Sequence, residues 1–311
     1  MSSPTTATVS LQPLLHRVQE ARKQTDALFT FLTPEALYER SIAERHRLIF
    51  YLGHLEAFDW NLLSGALHLE TKDAGFDKLF SFGIDPTQGN LPSDQPADWP
   101  AESQVREYGQ TIRRRLDDAL ASPVENTQLP PLVANGTFLH VAIEHRLMHA
   151  ETLAYLLHQL PNHKKRGPAL PLAILAPAPE PEMAAIPPGT ATLGQPSRGA
   201  SRPAPTTKGE TFAFGWDNEF ETHVENVPEF RIGVYPVTNA QFLEFVRAGG
   251  YSDPGLWSSE DWAWKESRGL RHPHFWQSAA DRWFLRGMFE LHPLPLDWPV
   301  YVSHAEATAY S

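Results

Sequence analysis

The sequence has no cysteine among its 311 residues. That absence excludes disulfides, thiolate metal sites and a cysteine nucleophile, so any metal must be held by nitrogen and oxygen. Basic charge is scarce as well: 26 Lys and Arg against 37 Asp and Glu leave a formal net charge of -11. The longest basic cluster is His163-Lys164-Lys165-Arg166. This balance opposes binding to phosphate backbones, which is driven by Lys and Arg releasing counterions, and nucleic acid is not an expected partner. No apolar run reaches membrane-spanning length, and the opening "MSSPTTATVSLQPLLHRVQEARKQ" lacks the charged start and apolar core of a secretion signal. A cytoplasmic location without a membrane partner is the expectation. What the chain does have is 41% apolar residues, with nine Trp and seventeen Phe, enough for two cores.

From Leu11 to about Leu160 the apolar period is helical. Leu14, Val18, Ala21, Thr25, Leu28 and Leu32 recur at three- and four-residue steps, and Thr33-Pro34 reads as an N-cap followed by proline at the first helical position. Further helices are predicted through "RHRLIFYLGHLEAFDWNLLSGAL", "ESQVREYGQTIRRRLDDAL" and "FLHVAIEHRLMHAETLAYLLHQL", the last stopped by Pro161. Four long helices with one long crossover, residues 76–100, describe a bundle. Residues 161–208 hold eleven prolines and read as a linker. The predicted division is a helical metal-binding domain over 1–165, a Pro-rich linker over 166–185 and an irregular α+β domain over 186–311. In that last part "IPPGTATLG" and "EFRIGVYPVT" read as strands, and Thr238 with Gln241 forms a capping box on a helix ended by Gly249.

The chemistry-bearing pattern is histidine on core-facing stripes. His54 lies on the stripe Phe50, His54, Ala57, Asn61; His145 and His149 lie on the stripe Ala142, His145, His149, Thr152, Leu156. Positions four apart stack on one helix face, and imidazoles are not drawn inward by hydrophobicity. Any one buried histidine is commonly a hydrogen-bonded core residue, but three from two helices can converge at roughly 2.1 Å from one ion. His16, His46, His68, His140, His158 and His163 read as surface or capping residues. Glu151, two residues past His149, is a candidate carboxylate partner for a ligand ring. Three neutral imidazoles suit Zn, Fe(II) or Ni, and they leave coordination positions open.

"GHLEAFDWN" with "EHRLMHAET" resembles the His plus HxxxHxE signature of DinB-like bundles. "FGWDNE", "YPVTNAQFLEFVRAGGY" and "WPVYVSHAEATAY" resemble the formylglycine-generating-enzyme or sulfatase-modifying-factor fold, an irregular α+β fold of the C-type-lectin-like kind. Fused in this order, the two resemble the ergothioneine-biosynthesis sulfoxide synthases of the EgtB type. The resemblance implies Fe(II) on His54, His145 and His149, and an oxygenase that joins a thiol to hercynine (trimethylhistidine) using O2. It also implies a catalytic tyrosine that no motif here identifies, and aromatic or acidic contacts to the trimethylammonium group, for which Trp216 and Asp217 are the candidates.

Three departures from the family pattern bear on these implications. Met148 stands where many members carry Gln, removing a donor to the bound imidazole. No arginine lies between residues 79 and 105, where relatives that use γ-glutamylcysteine hold its carboxylates, so cysteine is the favoured thiol; Arg113, Arg114 or Arg115 is the alternative anchor. In the family more than roughly a hundred residues follow the segment resembling "VSHAEATAYS", so a fragment is expected, with apolar surface exposed where the rest would pack. The competing readings are a selenoneine synthase, a zinc- or nickel-dependent DinB-type thiol transferase, a formylglycine-generating enzyme and a binding module without catalysis.

Overall fold

The computed structural model describes residues 11–84, 91–121, 131–168, 177–195, 214–280 and 282–311. The chain divides into two compact units, Met1–Pro168 and Ala169–Ser311. Parts of the predicted crossover and linker, residues 85–90 and 169–176, lie outside the described residues.

The first unit is helical. Its long members are α1 (Gln12–Phe29), α2 (Leu48–Leu63), α4 (Glu102–Ala121) and α6 (Thr137–Gln159), with the short helices α3 (Ala74–Phe82) and α5 (Pro131–Ala134) between them. α1 packs on α6, while α2 packs on α3, α4 and α6, so α2 sits at the centre. Its sequence fits that position, since Leu48, Ile49, Phe50, Tyr51, Leu55, Ala57, Trp60 and Leu63 bury most of its circumference. On α1 the predicted stripe is inward at Val18, Ala21 and Thr25. Thr33-Pro34 opens a single 3-10 turn, Pro34–Tyr38, and the Thr33 side chain makes no capping bond to it.

The predicted crossover is in part helix. Asp73 caps α3 by accepting from the Phe76 amide at 2.9 Å, and Gly83 ends it with a φ of 74°. Downstream, buried Asp94 anchors the chain by accepting from Arg40, from Arg47 Nε at 3.0 Å and from Trp99 Nε1 at 2.7 Å.

The second unit is α+β. β1 (Met183–Ile186) pairs antiparallel with β4 (Phe230–Gly233), and β2 (Gly189–Leu193) pairs with β3 (His223–Val227). After α7 (Asn239–Arg247) and α8 (Ser259–Ser267), the strands β5 (Trp276–Ala279), β6 (Arg282–Arg286) and β7 (Leu291–Pro293) form a three-stranded antiparallel sheet, followed by α9 (His304–Tyr310). The core is Phe242, Leu243, Tyr251, Trp257, Trp276, Leu294, Ala305 and Ala309. The Thr238–Gln241 capping box starts α7 in both directions, and Gly249 follows its end at a φ of 90°. Among the described residues no helix is long and apolar enough to cross a membrane.

Candidate metal centre

α2 and α6 lie side by side, and their polar interruptions meet. One ligand atom from each of His54, His145 and His149 lies within 4.8 Å of the other two. The ring centroids are 5.1 Å apart for His54–His145, 4.9 Å for His54–His149 and 4.5 Å for His145–His149. The last pair is one helical turn apart, as the four-residue spacing requires.

Each ring is held by neighbours. His54 Nδ1 is 2.7 Å from the Phe80 carbonyl oxygen of α3. A carbonyl can only accept, so Nδ1 carries the proton and Nε2 is left with its lone pair. Gly53 makes this approach possible: a Cβ there would stand 2.4 Å from the Phe80 ring. Phe50 stacks on His54 with centroids 4.7 Å apart, and Phe58 lies nearly parallel on His145 at 3.4 Å and 8°. These phenylalanines precede and follow His54 by one turn of α2, so a single face of that helix supplies a candidate ligand and two walls.

The electrostatics favour neutral imidazoles. Burial, reinforced by His149, His54 and Arg146, pushes His145 down to about 2. Burial and then His54 and Arg45 push His149 down to about 4, and burial lowers His54. His145 Nδ1 and His149 Nδ1 are buried without a hydrogen-bond partner. Neutral nitrogens at which lone pairs converge, two rings of which leave a nitrogen unsatisfied, fit a divalent cation better than a hydrogen-bonded core.

Beside the histidines runs a buried ionic network that sequence pattern did not reveal. Arg146, fully buried on α6, donates to Asp59 Oδ2 from Nε at 2.9 Å and from Nη2 at 2.8 Å, and to Glu56 Oε2 at 2.9 Å. Arg113 of α4 donates to Glu56 Oε1 at 2.6 Å and to both oxygens of Asp26 on α1. Burial works to raise Glu56, but Arg146 and Arg113 overcome it and hold the carboxyl down at about 2. The network ties α1, α2, α4 and α6 together directly behind the ligand helix.

Other candidates are placed differently. Glu151 is exposed and bonds to none of the three rings; two residues along a helix is about 200° around it, which turns the side chain away from the face of His149. Met148 is 49% exposed on α6. His46 is not a surface residue: its half-buried ring packs on Phe50 with centroids 4.2 Å apart. Arg113 is committed to Asp26 and Glu56. Arg115 lies over the Trp60 ring, at a cavity of about 340 Å³ lined also by Asp77 and Tyr108 that contains none of the three histidines. Arg114 donates to Thr111 Oγ1 at 3.4 Å. Trp216 and Asp217 belong to the second unit, where the Trp216 amide donates to Glu219 Oε2 at 2.6 Å and closes the turn Asp217–Glu219. A residue the motifs did not mark is Tyr51, whose ring centroid is 5.6 Å from that of His149. Tyr51 sits on the turn of α2 before His54, and only that helical offset hinted at it.

Residues 173–311 match the family described as the sulfatase-modifying factor enzyme 1-like domain. The chain is 29% identical over 304 residues to ergothioneine biosynthesis protein 1 of Neurospora crassa, a match covering 88% of this chain and 33% of that protein. It is 32% identical over 227 residues to hercynine oxygenase of Mycolicibacterium smegmatis, covering 71% of this chain and 46% of the relative. Ergothioneine biosynthesis protein 1 of Schizosaccharomyces pombe is 25% identical over 307 residues, with 90% and 37% covered. The chain thus spans between about a third and a half of the length of these relatives, whose names refer to hercynine oxygenation and ergothioneine biosynthesis.

Proposed function

We propose that this chain carries the iron centre of a sulfoxide synthase that joins a thiol to hercynine using O2. The observation that carries the reading is the convergence of three neutral imidazoles from α2 and α6 on one point. His54, through Nε2, and His145 and His149 would hold Fe(II) on one face; the bound metal would supply open coordination positions and redox chemistry with oxygen. Phe50 and Phe58 fix the ring planes and exclude water from their backs, and the Phe80 carbonyl fixes the His54 tautomer.

The overall reaction balances without an external reductant. Hercynine loses the hydrogen from the carbon between its ring nitrogens and the thiol loses its hydrogen. A carbon–sulfur bond forms, one oxygen atom goes to sulfur as the sulfoxide, and the other leaves as water with the two hydrogens. The four electrons given up by the substrates reduce O2. Cysteine is the favoured thiol, because the chain has no arginine between residues 79 and 105 and Arg113 is already paired.

The test is anaerobic loading of the chain with Fe(II), followed by hercynine, O2 and either cysteine or γ-glutamylcysteine. Oxygen uptake and a sulfoxide mass dependent on hercynine are expected, with cysteine the better donor. Tight zinc or nickel retention with no oxygen uptake would favour the thiol-transferase reading, and turnover only with a selenium donor would favour selenoneine synthesis.

A further inference from the structure

His54 is held from two sides by residues that share a neighbour. Its Nδ1 is 2.7 Å from the Phe80 carbonyl oxygen, and the Phe50 ring stacks on its face at 4.7 Å and 24°. Both phenylalanines pack on one indole: the Trp99 ring centroid is 6.2 Å from that of Phe50, edge-on at 70°, and 6.4 Å from that of Phe80. Trp99 is buried, and a buried indole N–H needs an acceptor. That acceptor is Asp94 Oδ2, at 2.7 Å. Asp94 is fixed in turn. Arg40 donates to its Oδ1, and Arg47 Nε donates to its Oδ2 at 3.0 Å. Arg47 also donates to the Asp94 backbone carbonyl, and to the Tyr38 carbonyl at 2.7 Å. Because Arg47 is the residue that precedes α2, the carboxylate joins the crossover to the start of the helix that carries His54.

We propose that Asp94, acting through the Trp99 indole, is a positioning residue for His54: it fixes the wall from which Phe50 and Phe80 hold that imidazole in the three-histidine centre. An apolar residue could fill the same space, and a buried carboxylate is unfavourable unless its lone pairs are met. What the carboxylate adds is direction. Both of its oxygens are committed to donors, two guanidinium groups and the indole N–H, and such charge-assisted bonds leave Trp99 one orientation. Phe80 is confined on its other side, where a Cβ on Gly53 would stand 2.4 Å from its ring. The ring that meets Trp99 and the carbonyl that accepts from His54 belong to this one residue, so a turn of the indole shifts the partner of Nδ1. The effect falls on one candidate ligand of three, since among the described residues no ring contact joins Trp99 to His145 or His149. The inference rests on the metal-centre reading above and extends it to the crossover, which had no part in the histidine pattern.

The experiment is a double-mutant cycle between Asp94→Ala and Trp99→Leu in the full chain, read in two ways. One readout is the His54 tautomer in the metal-free chain labelled with 15N-histidine, followed by two-bond 1H–15N correlation; the other is Co(II) affinity by anaerobic titration. The unmodified chain should show His54 with its proton on Nδ1. Each single variant should bring in the Nε2–H tautomer of His54, leave the tautomers of His145 and His149 unchanged, and weaken Co(II) binding by ~10–100-fold, the range for losing an outer partner of a ligand. The double variant should be no worse than the worse single one, because the two residues act in series. Trp99→Phe, which keeps a ring but has no N–H, should fall between the unmodified chain and Trp99→Leu, and it decides the matter if Asp94→Ala does not fold. Leu116→Ala, a core truncation on α4, should lower stability and leave both readouts native. Additive losses in the cycle, a native His54 tautomer in folded Asp94→Ala or Trp99→Phe, or the same changes in Leu116→Ala would overturn the proposal. Failure of the metal-centre reading appears separately, as an unmodified chain that takes up no Co(II); the tautomer, read without metal, still decides the role of Asp94.

Discussion

At the residue scale the three candidate ligands are equivalent in type but not in support. His54 has its second nitrogen fixed by the Phe80 carbonyl, whereas His145 and His149 have buried Nδ1 atoms without partners. Substituting His145 or His149 by Ala should lower metal affinity by more than the ~10–100-fold typical of losing an outer partner of a ligand, while the far-UV circular dichroism stays native. Metal analysis after dialysis checks this. The depressed pKa values also fix a pH dependence for the metal-free chain. Folded His145 is pushed to about 2 and His149 to about 4, whereas unfolded histidine titrates near ~6.5. The unfolded state therefore binds the extra protons, so stability is full above pH ~6.5 and falls as pH drops below it, with a limiting slope of ~1.4 kcal/mol per pH unit for each histidine. Urea unfolding at pH 7.5 and 5.5 should show the loss. Added metal, which binds the same neutral nitrogens, should reduce it. The histidines were legible in the sequence because a polar residue on an apolar stripe stands out. Glu151 shows the limit of proximity in sequence: an offset of two from His149 turns the side chain about 200° around α6, and it is exposed.

At the scale of elements, the centre depends on α3 meeting α2 and on α6 keeping its register against α2. Gly53 is the contact point for the first. Gly53→Ala would drive a methyl group to 2.4 Å from the Phe80 ring, so α3 must move and take the Phe80 carbonyl from His54. The expected cost is ~1–3 kcal/mol of stability, accompanied by weaker metal binding; a variant of normal stability and normal metal affinity would contradict this account. Register depends on Arg146. Arg146→Met leaves Asp59 with Arg22 alone, 4.0 Å away, and Glu56 with Arg113 alone, a poorly compensated buried pair whose loss of a partner should cost up to ~3–5 kcal/mol. The double variant Arg146→Met, Asp59→Leu should be more stable than Arg146→Met by itself, which chemical denaturation would show. The α7 capping box was readable because both partners lie within three residues. α3 was not readable, because "FDKLFSF" offers only two turns amid Gly, Asp and Pro, and its helicity is secured by Phe80 packing into the space that Gly53 leaves. The ionic network was invisible for a stronger reason: its pairs join residues up to 90 positions apart, as for Arg146 and Glu56.

At the scale of the whole molecule, all three histidines and the network behind them belong to the Met1–Pro168 unit, while most of the tryptophans belong to the Ala169–Ser311 unit. Trp60 and Trp99 are in the first; Trp216, Trp257, Trp262, Trp264, Trp276, Trp283 and Trp298 are in the second. Helix content divides the other way, with the four long helices in the first unit. Two optical signals thus report on different parts of one chain. A metal that binds only the native bundle stabilises it by mass action, ~4 kcal/mol at a thousandfold excess over its dissociation constant. Thermal unfolding followed at 222 nm should shift upward on adding Co(II), by several degrees for a unit of this size. The tryptophan fluorescence transition, dominated by the second unit, should shift less. His149→Ala should abolish the difference between the two probes. An equal shift of both signals would mean that the units unfold as one cooperative body; no shift in either, with the chain folded, would remove the metal centre from the account and the proposed oxygenase with it.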